Sequence, residues 1–147
     1  MRQIRFRAKC VDNGKWLHGY SLLSLSPDDK EAQYFIPSKG KSCDALANAE
    51  GEIYRLDGMT VYRVRPETIG QYTGAKDAYH REIYEGDIVK HGGKLYEIRY
   101  HPNYARFAGV KPGVRFAVFS FKSCTVLGNV FDNPHMMDDF YAKEGGE

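Results

Sequence analysis

Glu85-Gly86-Asp87-Ile88-Val89-Lys90-His91-Gly92-Gly93-Lys94-Leu95-Tyr96-Glu97-Ile98-Arg99-Tyr100 reads as two strands and the turn between them. Glycine at 86 permits a tight, positive-φ entry, Asp87 can accept from nearby backbone amides, and Ile88-Val89 return the chain to a core. Many small SH3-like barrels enter a strand in this way. His91-Gly92-Gly93-Lys94 supplies a tight turn, and Lys94–Tyr100 resumes an extended run in which Leu95 and Glu97 alternate with Tyr96, Ile98 and Tyr100.

Outward from this run the same character continues. Arg115–Phe121 and Thr125–Phe131 follow as strands, and Thr68–Tyr72 precedes. Glu52–Leu56 and Thr60–Arg65 flank Asp57-Gly58, a two-residue hairpin signal. At the start, Ile4-Arg5-Phe6-Arg7-Ala8-Lys9 alternates with period two. This predicts a strand with one buried face and a solvent row of Arg5, Arg7 and Lys9. Asp12-Asn13-Gly14 is turn chemistry, and Lys15–Leu23 around Trp16 and Tyr20 closes an N-terminal hairpin. Between Ser24 and Gly51 the period is lost: Ser26-Pro27-Asp28-Asp29 and Pro37-Ser38-Lys39-Gly40-Lys41 are loop-like, Tyr34-Phe35-Ile36 fits one short strand, and Asp44–Ala49 fits either a helical turn or an omega-type loop. Pro134–Tyr141, with Met136, Met137, Phe140 and Tyr141 partly at helical spacing, adds a short C-terminal helix. Many short strands with little helical periodicity predict an all-β protein, a small barrel or strongly curved sheet with an SH3-like C-terminal part.

Two motifs in the middle carry a family resemblance. Val64-Arg65-Pro66-Glu67-Thr68-Ile69-Gly70-Gln71-Tyr72-Thr73-Gly74-Ala75-Lys76-Asp77 and Arg81-Glu82-Ile83-Tyr84-Glu85-Gly86-Asp87-Ile88-Val89 resemble the central signature of the YopX family. The opening Ile4–Ala8 and the closing Leu127-Gly128-Asn129-Val130-Phe131-Asp132-Asn133-Pro134 resemble the family's usual start and close. Ala78-Tyr79-His80 departs from it, standing where the family commonly carries an Asn-Gly type turn. The resemblance implies a single YopX-like, barrel-like domain over 1–147, with a hairpin part about 1–58, a barrel-like part about 60–134 and a tail 135–147. It also implies a bacterial, phage or prophage origin, and it brings no activity with it. Independently of the family, Gly70 and Gly74 around Gln71-Tyr72-Thr73 suit a bulge or a close backbone crossing more readily than a ligand loop.

Composition narrows the class. The 147 residues are 42% hydrophobic and 14% aromatic, enough for an ordered core. Three cysteines at Cys10, Cys43 and Cys124 have no paired spacing, and the start lacks the apolar run of a signal peptide, which reads as a cytoplasmic protein with free thiols. The resemblance makes that cytoplasm a bacterial host's. Apolar runs are far shorter than the roughly 20 residues that cross a bilayer. There is no Gly-x-Ser-x-Gly elbow, Gly-x-x-x-x-Gly-Lys loop, Gly-x-Gly-x-x-Gly turn or Cys-x-x-Cys pair, so no catalytic residues, metal ligands or cofactor are assigned. Cys43 beside Ser42 would be a nucleophile only with a histidine brought to it in space. His135 near Asp132, Asp138 and Asp139 could form a metal group, but a solvated acidic terminus explains the same residues.

The charge is uneven. Net charge is +2, yet residues 90–122 hold seven basic residues and one acidic. There Lys94, Arg99, Arg106, Lys111 and Arg115 are interleaved with Tyr96, Tyr100, Tyr104 and Phe107, and His101–Gly113 reads as a long loop. Cations that track phosphates beside rings that stack on bases are what a single-strand binder needs, which marks Lys94, Arg99, Tyr104, Arg106, Lys111 and Arg115 as a nucleic-acid contact. The competing reading makes the rings core and the cations ordinary surface. The expected function is therefore a non-enzymatic accessory binding module whose partner is nucleic acid or a phage or host protein. A protein-interaction or self-assembling homo-oligomeric module is the alternative, and a metal-dependent hydrolase at His135 comes behind both.

Overall fold

The computed structural model describes residues 3–25, 33–38, 53–56 and 59–145, with backbone alone at 25, 38, 53–56, 59–60, 114–115 and 145. The Ser26–Asp29 loop, Cys43, the Asp44–Ala49 segment and the Asp57-Gly58 turn lie outside the described residues, as do the side chains of the Glu52–Leu56 strand. The chain divides into two compact units, Met1–Gln71 and Tyr72–Glu147.

In the first unit, strands β1 (Phe6–Lys9) and β2 (Trp16–Gly19) form the expected hairpin, with Phe6 opposite Gly19 and Lys9 opposite Trp16. Its turn is closed by the Cys10 N–H on the Lys15 carbonyl and the Gly14 N–H on the Cys10 carbonyl. A second antiparallel sheet runs in the order β3 (Leu23–Leu25), β4 (Gln33–Ser38), β6 (Met59–Val64), β5 (Ile53–Leu56). The register of Leu56 opposite Met59 leaves two residues for the β5–β6 connection, the spacing expected of the hairpin there. Ala8, Cys10, Leu17, Ile36, Tyr62 and Val64 make the core of this unit.

One expectation fails here: the solvent row on β1. Arg7 is 8% exposed, because Trp16, paired with Lys9, lies on the same face of the ladder as Arg7 and Lys9. The Arg7 guanidinium sits 4.6 Å and the Lys9 ammonium 5.4 Å from the indole centroid, so the second face is roofed by a cation-π layer. Nor does Thr68 begin a strand. Pro66–Thr68 is a 3₁₀ turn, with proline at its start and the Thr68 hydroxyl bonded back to the Arg65 carbonyl. β7 (Gly70–Lys76) follows, its first two residues pairing with β1.

In the second unit the rest of β7 pairs with β8 (Glu82–Tyr84) across a register shift between Tyr72 and Lys76, which accords with the bulge read from Gly70 and Gly74. A five-stranded antiparallel sheet then runs β12 (Val114–Ala117), β11 (Arg106–Lys111), β10 (Lys94–His101), β9 (Asp87–His91), β13 (Thr125–Asn129). The Glu85-Gly86-Asp87 entry behaves as its chemistry requires. Gly86 has φ +88°, its N–H bonds the Ile98 carbonyl, and its carbonyl accepts from Val130. Asp87 Oδ2 accepts from the Tyr84 N–H at 2.8 Å.

The long loop expected at His101–Gly113 is instead a short turn, the whole of β11 and another turn. Ala108 and Gly109 hide the strand from a pattern search because they are small where space is needed: a Cβ on Gly109 would lie 2.8 Å from Phe119 Cε1 and 2.9 Å from Tyr96 Cβ. The strand expected at Arg115–Phe121 also ends early, at Ala117, and Phe121–Ser123 is a 3₁₀ turn. The C-terminal helix is present and longer than its pattern suggested, α1 (Met136–Gly145), with Asp138 and Asp139 in its first turn and Lys143 in its last, as the helix dipole favours. The protein is thus mainly β with one short terminal helix. Its sheets are open, and no closed barrel forms among the described residues.

Candidate nucleic-acid interface

The six residues marked by the sequence go to different places. Lys94 Nζ is 2.8 Å from Glu144 Oε2 on α1, a hydrogen bond that raises its pKa. Lys111 Nζ lies 6.0 Å from the Tyr141 ring centroid on the same helix. Arg99 forks onto Glu97, Nε to Oε2 at 2.7 Å and Nη2 to Oε1 at 3.0 Å, since residues two apart on a strand share a face, and this raises the Arg99 pKa. Tyr104 is 73% exposed and packs on His101, whose ring also meets Phe116 with centroids 3.7 Å apart. Arg115 belongs to β12, its side chain outside the described residues. Arg106 is exposed and has no carboxylate at ion-pair distance among the described residues.

Arg106 opens onto a groove that the sequence did not assemble. One cavity of about 380 Å³ is lined by Ala75, Arg106, Phe107, Phe119, Ser120, Phe121 and Lys122. A second, of about 540 Å³, is lined by Tyr72, Gly74, Ala75, Lys76, Asp77, Ala78, His80 and Lys122. Ala75 and Lys122 belong to both, so the two adjoin. Lys122 and Lys76 are exposed and, like Arg106, lack an ion-pair partner among the described residues. Glu82 is the cross-strand neighbour of Lys76, but one of its carboxylate oxygens accepts from the Tyr84 hydroxyl at 2.9 Å.

The acid inside this groove is already used. Asp77 has no exposed side-chain surface. Oδ1 accepts from the Tyr79 and Arg81 amides, each at 2.9 Å. Oδ2 takes the Val126 amide at 2.9 Å and Arg81 Nε at 3.1 Å. Burial alone would push this carboxyl up, yet the amides of Val126, Arg81 and Tyr79 and the Arg81 charge outweigh it and hold its pKa below the usual carboxylate value. Asp77 therefore fastens the 77–81 turn to β13, and both its carboxylate oxygens are taken by donors of the protein. His80, in the turn that departs from the family pattern, takes φ +63° in the left-handed region.

The aromatic wall is equally fixed. Phe119 stacks on His91 with centroids 4.4 Å apart and planes 8° apart, and leans on Tyr96 and Phe121 at 5.0 and 5.7 Å. The 3₁₀ turn that presents Phe121 and Lys122 is tied by the Ser123 hydroxyl on the Ser120 carbonyl at 2.7 Å and by Cys124 Sγ on the Phe121 carbonyl at 3.0 Å. Burial and the nearby Asp77 and Asp87 charges push the Cys124 thiol up to about 11, so it packs rather than reacts at neutral pH.

No metal group assembles from the terminal acids. Among the described residues no three His, Cys, Asp or Glu side chains converge on an ion position. Asp132 Oδ2 accepts from the Asn129 side-chain amide at 2.9 Å, while the His135 carbonyl takes the Asp139 amide at the start of α1. Nor is any helix long and apolar enough to cross a membrane among the described residues.

Fold and site together define a mainly β protein whose second unit carries two adjoining cavities lined by cations and aromatic rings. The chain belongs to the YopX protein family, whose model matches residues 5–138. It is similar to protein EF1440 from Enterococcus faecalis, known as a crystal structure, at 22% identity and a TM-score of 0.53 over 93% of this chain and 99% of that one, a likeness of fold alone. No curated protein matches the chain. Sequence reasoning named Arg106 and Phe107 but missed Lys76, Phe119, Phe121 and Lys122 as one surface. The seven-to-one basic excess up to Lys122 was the available signal for Lys122. Lys76, remote in sequence from that block, carried none.

Proposed function

We propose that this chain is a non-enzymatic binding module, a phage or prophage accessory protein of the bacterial cytoplasm with an SH3-like second unit, that contacts nucleic acid through the groove. The observation that carries this reading is the set of exposed cations on two adjoining cavities, Arg106 and Lys122 beside Phe107, Phe119 and Phe121 in one and Lys122 and Lys76 in the other, where the lining carboxylate, Asp77, is engaged by four donors. Phosphates supply the affinity of such contacts and make it depend on salt. Removing each cation should weaken binding to all sequences alike.

The test is fluorescence anisotropy of labelled DNA and RNA at several salt concentrations with the Arg106→Gln/Lys122→Gln variant beside the parent. Salt-dependent binding that the double variant loses supports the reading. Binding that ignores both salt and these charges, or no binding, removes it. In the last case the alternative of a protein-interaction or self-assembling module leads, with solution mass and partner capture as its measurements.

A further inference from the structure

We infer that the groove takes an unpaired base, so that the partner is single-stranded rather than duplex nucleic acid. This rests on the reading above and adds to it what the groove between the cations is for.

Duplex binding by charge alone needs cations placed to meet phosphates and makes no use of a recess between them. Here the cations line two adjoining cavities of about 380 and 540 Å³, both within the range of roughly 300–1,000 Å³ typical of small-molecule sites. Phe107, Phe119, Ser120 and Phe121 line the smaller cavity with Ala75, and Gly74 and Ala75 line the larger one. Phe107, Phe119 and Phe121 pack against the buried cluster of Ile83, Val89, Ile98 and Cys124, yet each is only partly buried and all three line the smaller cavity.

These rings are positioned before any ligand arrives. Phe119 is held by the His91 stack and by the missing Cβ of Gly109, Phe107 by its edge contact with Tyr100 at 5.4 Å, and Phe121 by the bonds of the 3₁₀ turn. Rigid aromatic surface is what base stacking uses, because little ordering cost remains on binding. Arg106 and Lys122 line the smaller cavity from different elements, so one base between them would place its neighbouring phosphates at cations. A paired base cannot present its face there without leaving the stack.

Two kinds of variant separate this inference from its foundation. Ala75→Phe fills the wall shared by both cavities without changing charge, and Phe107→Leu trims a ring while keeping the site apolar. Thermal unfolding of both checks whether the fold is kept. Each should lower affinity for an unpaired oligonucleotide roughly tenfold, the scale of one lost base stack, and leave duplex affinity and the salt slope unchanged. RNA and DNA strands of the same sequence, run in parallel, show which sugar is accepted.

If both folded variants bind single strands as tightly as the parent, or the parent prefers duplex, the inference is overturned while the charge-based reading stands. If the parent shows no salt-dependent binding to any strand, the foundation itself has failed.

Discussion

Gly109 and Asp77 show how much of the second unit hangs on single atoms. The absent Cβ at 109 lets Phe119 and Tyr96 close over the sheet, with 2.8 and 2.9 Å available where an ordinary contact needs more than 3.4 Å. Gly109→Ala is expected to destabilise the protein by about 1–3 kcal/mol through overpacking, read as a lower urea midpoint at unchanged slope. Asp77 acts through charge. Its folded pKa lies below its unfolded value, so the stability it contributes is present above about pH 4 and is lost as pH falls through the lowered folded value. Asp77→Asn should cost about 2 kcal/mol at pH 7, and its stability should fall less steeply than the parent's between pH 5 and pH 2 in acid titrations followed by circular dichroism. Burial of the thiols gives a third expectation. Cys10 is 1% exposed and Cys124 is fully buried. In a Cys43→Ser variant neither should react with a thiol reagent until denaturant is added.

At the level of elements, α1 is tied to β10 by a polar contact that repairs a sheet edge. The ladder with β11 begins at Glu97, which leaves the Leu95 amide and carbonyl to find other partners. The Tyr141 hydroxyl serves both, accepting from the Leu95 N–H at 3.2 Å and donating to the Leu95 carbonyl. Burial and its surroundings raise the Tyr141 pKa, so the hydroxyl keeps its proton at neutral pH and can donate. Tyr141→Phe should destabilise by about 1–3 kcal/mol, the cost of leaving two backbone groups unmet, and should speed hydrogen exchange at the Leu95 amide before that of the central strands. The neighbouring Lys94–Glu144 pair is exposed, and Glu144→Gln is expected to leave the melting temperature nearly unchanged. Hairpins with strong turn chemistry, β1–β2, β5–β6 and β9–β10, were legible in the chain because Gly and Asn at their turns announce them. β11 was not, because the small residues that seat Phe119 erase its alternation.

Across the whole molecule the net charge of +2 is too small to draw nucleic acid by itself, so any such affinity must come from the local set of cations. With about three phosphates engaged, a plot of log affinity against log salt for a single strand should slope near −2, and the double charge variant should flatten it by more than half. The basic block was legible as an excess of Lys and Arg. Its division between Glu97, Glu144 and open groove was not, because a one-dimensional count cannot say which cation has a carboxylate folded against it.

By itself the sequence determined the strand-rich class, the family, the Gly86-Asp87 strand entry, the principal hairpins and the terminal helix, because period-two patterns and turn residues act through neighbours in the chain. Only the tertiary structure decided that Arg7 is buried under Trp16, that Asp77 binds the Val126 amide, that Arg106 and Lys122 line one cavity with three phenylalanines, and that Lys122 also lines an adjoining cavity with Lys76. These are meetings of residues far apart in sequence. Such contacts are set by sheet pairing and by where small residues let large ones in, and no local pattern records them.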